Sequence, residues 1–335
     1  MLQHLVAAKG VEAATEEGFA SEAEIPERGE PQLPGLVLAI EEPELYQHPS
    51  RQRHMASVLL KLSQGTIPGV AKRTQVLYST HSPLFVGLDR FEQIRLLRKA
   101  DDVAGKPRVT KAVKAELDAV AEEIWVAGGS QGSKYTADTL RHRLQAVMTP
   151  WVNEGFFADV AVLVEGEDDR AAILGVAVSM GHNFDSDGIS VIPCMGKHNV
   201  DRPMVIFRRL GIPVYAVWDG DHGEKDAKPE DNRYLLRLVS ESEEDWPCGV
   251  KHQYACFKTK IETTLSEEIG KELFERLLLE AQGQLGIPKR IYALKNPVVL
   301  QHIVEKAAVA GKTSATLKGI VEKIGALKPK RGGGQ

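Results

Sequence analysis

Four carboxylates are spaced in a way that suits metal-assisted chemistry on phosphate. Glu165 ends the apolar run Val160–Glu165 (VAVLVE), Gly166 allows a sharp turn, and Asp169 follows in the first turn of a helix expected over Asp169–Met180. A carboxylate there suits the positive end of the helix dipole. Asp219 and Asp221 close a second apolar run, Pro213–Asp219 (PVYAVWD), with Gly220 between them. If the chain stays extended, period-two geometry turns both side chains the same way. Carboxylates brought close together repel by about 4 kcal/mol per pair at an effective dielectric near 20. A divalent cation removes that cost, and hard oxygen ligands favour Mg2+ or Mn2+. The chemistry that follows is phosphoryl transfer with one or two ions, a pair standing roughly 3.5–4 Å apart. Taken singly, each acid reads as a helix cap or a solvated turn residue. Taken together, E-G-x-x-D after one strand and D-x-D after another reverse that reading.

The elements around these residues alternate. Strand Val160–Glu165, helix Asp169–Met180, strand Ile189–Cys194, helix Val200–Leu210 and strand Pro213–Asp219 imply a parallel sheet with right-handed crossovers. In open α/β sheets ligands bind outside the carboxyl ends of the strands, and neighbouring parallel strands would gather the four acids there. Gly196-Lys197-His198-Asn199 opens the helix after the second strand, where its backbone amides would contact a phosphate or simply cap the helix. A charged, loop-rich stretch follows Asp221, then a short strand His252–Phe257 and mainly helical sequence to a Lys/Gly tail. Ahead of this unit, Leu2–Ala8 reads as a short amphipathic helix and is followed by an acidic loop to Gly35. Leu36–Glu42 and Thr74–Ser82 read as buried strands, Pro49–Leu62 as a helix, and Gln93–Lys99 as a third, half-exposed strand. Helical patterning with a polar loop at Gly128–Lys134 makes the stretch from Lys99 to Trp151 a connector.

The chain of 335 residues has room for two or three domains, and its 43% hydrophobic and 26% charged residues are ordinary for a soluble globular protein. No run approaches the roughly 20 apolar residues of a membrane span, and the N-terminus lacks the pattern of a secretory signal. Cys194, Cys248 and Cys256 form no C-x-x-C pair, which argues against a disulfide framework or zinc ribbon and fits a reducing cytoplasm. A net charge of -4 gives no global signature of nucleic-acid binding, although basic groups can cluster locally.

The pair VLVEGEDDR and VYAVWDGD resembles the Toprim domain shared by topoisomerases, bacterial primases and certain nucleases, over about Ala158–Asp221. Upstream, LVLAIEEPELYQHPSRQ resembles the Walker B strand and D-loop of ABC ATPases. That resemblance gives Glu41 a share in holding Mg2+ through water and makes Glu42 the base that aligns the attacking water. STHSP resembles the switch-histidine loop, with His81 beside a γ-phosphate; a turn histidine is the plain alternative. No G-x-x-x-x-G-K-[ST] and no ABC signature occurs, so the chain alone is expected not to bind ATP. ATP enters only if a missing N-terminal lobe supplies the phosphate cradle, either upstream in the same protein or as a separate chain.

Together the two halves are similar to the OLD (overcoming lysogenization defect) family of ATP-dependent nucleases. The resemblance implies an α/β protein: part of an ABC-type ATPase lobe over 1–100, a helical connector over 101–157, a Toprim domain with a Rossmann-like parallel sheet over 158–260, and a mainly helical region over 261–335. It implies metal-dependent nicking or cleavage of DNA, often in phage defence or repair, by a cytoplasmic protein that tends to dimerise and needs no membrane. Glu165 and Asp169 would serve mainly one metal, Asp219 and Asp221 mainly the other. Glu262 resembles the acid that completes the metal site, and Lys295 the lysine near the scissile phosphate. An exposed first-turn glutamate and a surface lysine are the plain alternatives. Rival readings are a topoisomerase or primase, whose extra modules are not identifiable here, and a regulatory assembly subunit of a split ATPase–nuclease system.

Overall fold

The computed structural model describes residues 35–67, 73–100, 109–147 and 149–329. The helix expected at Leu2–Ala8 and most of the loop after it lie outside these. The chain divides into two compact units at Phe85/Val86.

In the first unit, β1 (Leu36–Glu41), α1 (Pro49–Ser63) and β2 (Thr74–Ser79) form a strand–helix–strand unit. The strands pair in parallel with Glu41 opposite Ser79. Ala56, Leu59 and Leu62 of α1 are buried with Phe85 against Leu38, Ile40, Val76 and Tyr78, one face of the strand pair. Period two leaves Val37 and Leu77 on the other face, and both are exposed.

The second unit begins with a 3-10 turn, Leu88–Gln93, and a hairpin of β3 (Leu96–Ala100) with β4 (Val109–Val113). The division into units at Phe85/Val86 precedes residue 100, where the sequence reading ends the ATPase half. The strand assigned to the ATPase half pairs with residues assigned to a helical connector. Periodicity marks a strand but not its partner. Helices α2 (Leu117–Ala127), α3 (Ala137–Val147) and α4 (Pro150–Glu154) follow, as the helical patterning predicts.

Next come β5 (Val160–Val164), α5 (Glu167–Ser179), β6 (Ile189–Pro193), α6 (Asp201–Arg209), β7 (Val214–Asp219), α7 (Pro229–Leu238), β8 (Gly249–Val250) and β9 (Tyr254–Phe257). The sheet order is β6-β5-β7-β9-β8, parallel except for β8. The strands are apolar on both faces, as a parallel sheet covered by helices requires. Leu163, Ala216, Trp218 and Cys256 face one core, packed with residues of α2, α3, α6 and α7. Val162, Val164, Val217 and Phe257 face the other. That core is completed by α5 and the C-terminal helices α8 (Ile261–Ile269), α9 (Lys271–Leu285), α10 (Arg290–Leu294), α11 (Pro297–Val309) and α12 (Ala315–Ala326). The strand order is what matters for chemistry, because it makes β5 and β7 central neighbours with their carboxyl ends side by side.

Candidate functional site

Glu165 leaves the end of β5, and its Oε2 accepts from the backbone N–H of Asp219 at 3.4 Å, across the gap to β7. Gly166 then caps α5, and its N–H donates to Asp169 Oδ2 at 2.8 Å. Asp169 is thus both a helix-start residue, as its position predicts, and a buried acid. Asp219 ends β7, with Oδ1 accepting from the N–H of Ile261 at 3.0 Å. Two of these acids lie deep: Asp169 is 3% exposed and Asp219 9%.

Asp221 departs from the expected extended D-x-D. The strand stops at Asp219, and Asp221 adopts φ +61°, with its N–H donating to Thr259 O at 3.1 Å. The turn is forced by close backbone packing: Gly220 N–H donates to Phe257 O at 2.6 Å, and a Cβ at Gly220 would fall 2.6 and 2.7 Å from the carbonyls of Phe257 and Lys258. Period-two geometry therefore does not apply past Asp219, and the side chain of Asp221 turns to Lys197, whose Nζ donates to Asp221 Oδ2.

The electrostatics follow from burial. Desolvation raises the carboxyls of Asp169 and Asp219 above the ordinary range; the charge of Asp168 raises Asp169 further, that of Asp169 raises Asp219, and Glu165 adds to both. Glu165 is raised too, first by burial, with the Lys197 ammonium opposing the shift. Asp169 and Asp219, pushed up to about 8 and about 9, hold protons near neutral pH unless a cation replaces them. An all-carboxylate donor set of this kind fits a hard divalent ion. Among the described residues, no three His, Cys, Asp or Glu side chains already gather their donor atoms about one point. Glu165, Asp169 and Asp219 each give one carboxylate oxygen to a backbone N–H, and a carboxylate so engaged keeps further lone pairs for an ion.

A family model described as "Overcoming lysogenization defect protein-like, TOPRIM domain" matches residues 156–221, the segment that carries all four acids. The chain carries an OLD-like Toprim domain. An AAA ATPase domain model matches residues 19–86. An OLD nuclease of Thermus scotoductus (strain ATCC 700910 / SA-01) is 34% identical over 188 residues, which is 56% of this chain and 31% of that protein. The chain thus spans about a third of that relative's length. Among solved structures, the chain is similar to the C-terminal region of the Burkholderia pseudomallei OLD protein, with 20% identity and a TM-score of 0.38, over 52% of this chain and 100% of that one. The corresponding region from Xanthomonas campestris pv. campestris gives 18% and 0.33, over 52% of this chain and 96% of that one.

Beside the Toprim carboxylates runs an open cleft of about 440 Å³, lined by Asp168, Glu262, Arg290, Ile291, Leu294 and Lys295. Glu262 and Lys295 share this cleft. The carboxylate of Glu262 is paired with the Arg290 guanidinium, whose other arm holds Glu275 at 2.5 Å. Lys295 is exposed at the end of α10.

In the ATPase-like unit, Glu41 and Glu42 lie at the carboxyl end of β1 and His81 just beyond β2. Glu42 has φ +43° and donates its N–H to Ser79 O at 3.0 Å. His81 Nε2 stands 3.7 Å from Glu42 Oε1, and its backbone N–H donates to Glu44 Oε1 at 2.7 Å. The parallel pairing thus brings the expected glutamate and histidine together.

Three residues around the site were not singled out in the sequence. Asn232 on α7 is fully buried, and its Nδ2 donates to the carbonyls of Gly220 at 3.0 Å and Asp245 at 2.9 Å. Asp168 and Arg290 shape the cleft. Lys197 was read only through its backbone, yet its side chain is a buried member of the cluster. No short-range signal marks Asn232 or Arg290, since each meets the site across the fold.

Proposed function

We propose that this chain is a divalent-metal-dependent nuclease that hydrolyses phosphodiester bonds of DNA at its Toprim site. One observation carries the reading: Glu165, Asp169 and Asp219 are packed together at the ends of adjacent central strands, two of them almost wholly desolvated. A fold keeps such acids ionised together only where a cation offsets them. Mg2+ or Mn2+ bound there would supply a water nucleophile and charge stabilisation for the phosphoryl oxygens. Glu165, Asp169 and Asp219 hold the ion, with Asp221 beside them on the next turn. Lys295, exposed in the adjoining cleft, offers its ammonium to a backbone phosphate and orients the strand. Arg290 adds a second cation there, held back by Glu262 and Glu275 until a phosphate competes for it. Glu41, Glu42 and His81 act on ATP only in company with a phosphate-binding lobe; the AAA match supports that role for the N-terminal unit.

The test is nicking of supercoiled plasmid in Mg2+ or Mn2+. Glu165→Ala and Asp219→Ala are each expected to lower the rate at least 100-fold, with no activity in EDTA. Wild-type rates in both variants at matched purity would sink the reading.

A further inference from the structure

We propose that Met195 is a wedge that enters the base stack of bound DNA and opens the step beside the phosphate to be cut. The inference rests on the nuclease reading above and specifies the form in which its site takes the substrate. Met195 follows β6 at the level of Glu165. The N–H of Cys194 donates to Val164 O at 2.8 Å and that of Gly196 to Glu165 O at 2.9 Å, so the chain after β6 advances two residues while that after β5 advances one. Met195 is the extra residue, squeezed out of line as in a β-bulge, a device that re-aims a side chain next to a site. It stands at φ +60°, a region that favours glycine. Its carbonyl accepts from Asn199 Nδ2 at 3.1 Å, so the strained residue is held by hydrogen bonds before, at and after it.

Glycine would hold that turn without strain. Methionine there turns a long, flexible, apolar side chain out to solvent, 67% exposed. The turns after β5, β7 and β9, at the same end of the sheet, carry Glu, Asp, His and Lys instead. Those groups suit phosphate and metal; a thioether among them suits the apolar faces of bases, and methionine is one of the side chains that wedge between base steps. The opposite side of the acids is shaped to receive what the wedge displaces. Because β5 lies between β6 and β7, Glu165 stands between Met195 and the turn after β7. In that turn His222 is exposed, and its N–H donates to Lys258 O at 3.0 Å. Its ring meets Trp246 edge to face, with centroids 5.0 Å apart. Asn232 ties the two segments together by donating to Gly220 O and Asp245 O. The pair gives an unstacked base an aromatic surface on which to lie.

The experiment compares cutting, by the full chain in Mn2+, of a short DNA duplex and of the same duplex with a central mismatched bubble. Met195→Gly is expected to cut the intact duplex about tenfold more slowly, and the bubble within about threefold of the wild-type rate, because there the step is already open. Its melting temperature is expected to equal or exceed that of the wild type, since glycine suits φ +60°. In Ca2+, 2-aminopurine placed in the intact duplex is expected to brighten on binding the wild type and to stay quenched with Met195→Gly. An intact duplex cut at the wild-type rate by the variant, equal losses on both substrates, a lower melting temperature, or no brightening with the wild type would each overturn the inference. A wild type that cuts neither substrate would instead defeat the nuclease reading itself, which keeps the two failures distinguishable.

Discussion

Asp169 and Asp219 are desolvated more fully than any exposed carboxylate would tolerate, and among the described residues neither forms an ion pair. Their titration makes the stability of the metal-free protein depend on pH. In the unfolded chain both ionise near the ordinary 3.8; in the folded protein burial raises them, to about 8 and about 9. Between these limits the folded state binds more protons than the unfolded one, so stability falls as pH rises from about 4 to about 9. In EDTA the melting temperature is expected to drop across that window, and Asp219→Asn should flatten the decline. Mn2+ should flatten it as well, because the ion takes the place of the protons, and its binding at pH 7 should release protons measurable in buffers of different ionisation enthalpy. Parallel melting curves for wild type and Asp219→Asn would count against the assignment. That these acids gather at one end of the sheet was legible in the sequence, because E-G-x-x-D and D-x-D sit at strand ends. That Asp221 faces Lys197 was not, because a left-handed residue after a close-packed glycine breaks the strand period.

Helix α5 presents Asp169 to the site from its first turn, and its placement depends on α11, which crosses it at Gly175. A Cβ there would lie 2.7–2.8 Å from the Gln301 nitrogen, the Leu300 Cβ and the Pro297 carbonyl. Gly175→Ala should gain up to about 1 kcal/mol of helix propensity. It should lose about 1–3 kcal/mol to overpacking, because the atoms it meets are mostly backbone and cannot turn aside. A net fall in melting temperature is expected, together with weaker Mn2+ binding as α5 is pushed from β5. An unchanged melting temperature would show that the two helices separate more easily than this packing implies. The helices themselves follow from their apolar residues, from the acids in the first turn of α5, and from Asn296 and Pro297 at the start of α11. The crossing point does not, since a glycine inside a helix says only that something comes close.

At the scale of the whole chain, the two units have separate cores. The ATPase-like unit is built on one parallel pair and one helix, with part of its strand surface exposed. The Toprim-bearing unit is a sheet covered on both faces, the arrangement of a domain that folds by itself. A chain of residues 86–335 is therefore expected to unfold in one cooperative transition and to bind Mn2+ as the full chain does, within about threefold. A molten, weakly cooperative fragment would mean that the hairpin β3–β4 and the helices after it need the first unit. The division at 85/86 was placed near 100 from sequence because Gln93–Lys99 reads equally well as the last strand of one unit or the first of the next.

The sequence by itself determined the class of fold and where the candidate acids leave it. Carboxylates at the ends of apolar runs, separated by helices of crossover length, leave few alternatives to metal-binding acids at the edge of a parallel sheet. Glu42 and His81 were legible for the same reason, each following a strand. Only the tertiary structure decided which charges meet. Strand order put β5 between β6 and β7 and so let a lysine from one loop reach an aspartate on another. The packing of Gly220 against the end of β9 turned that aspartate out of line. Local spacing fixes where a side chain leaves the backbone; the partner of a buried charge is set by contacts between segments distant in the chain, and no window of sequence contains both.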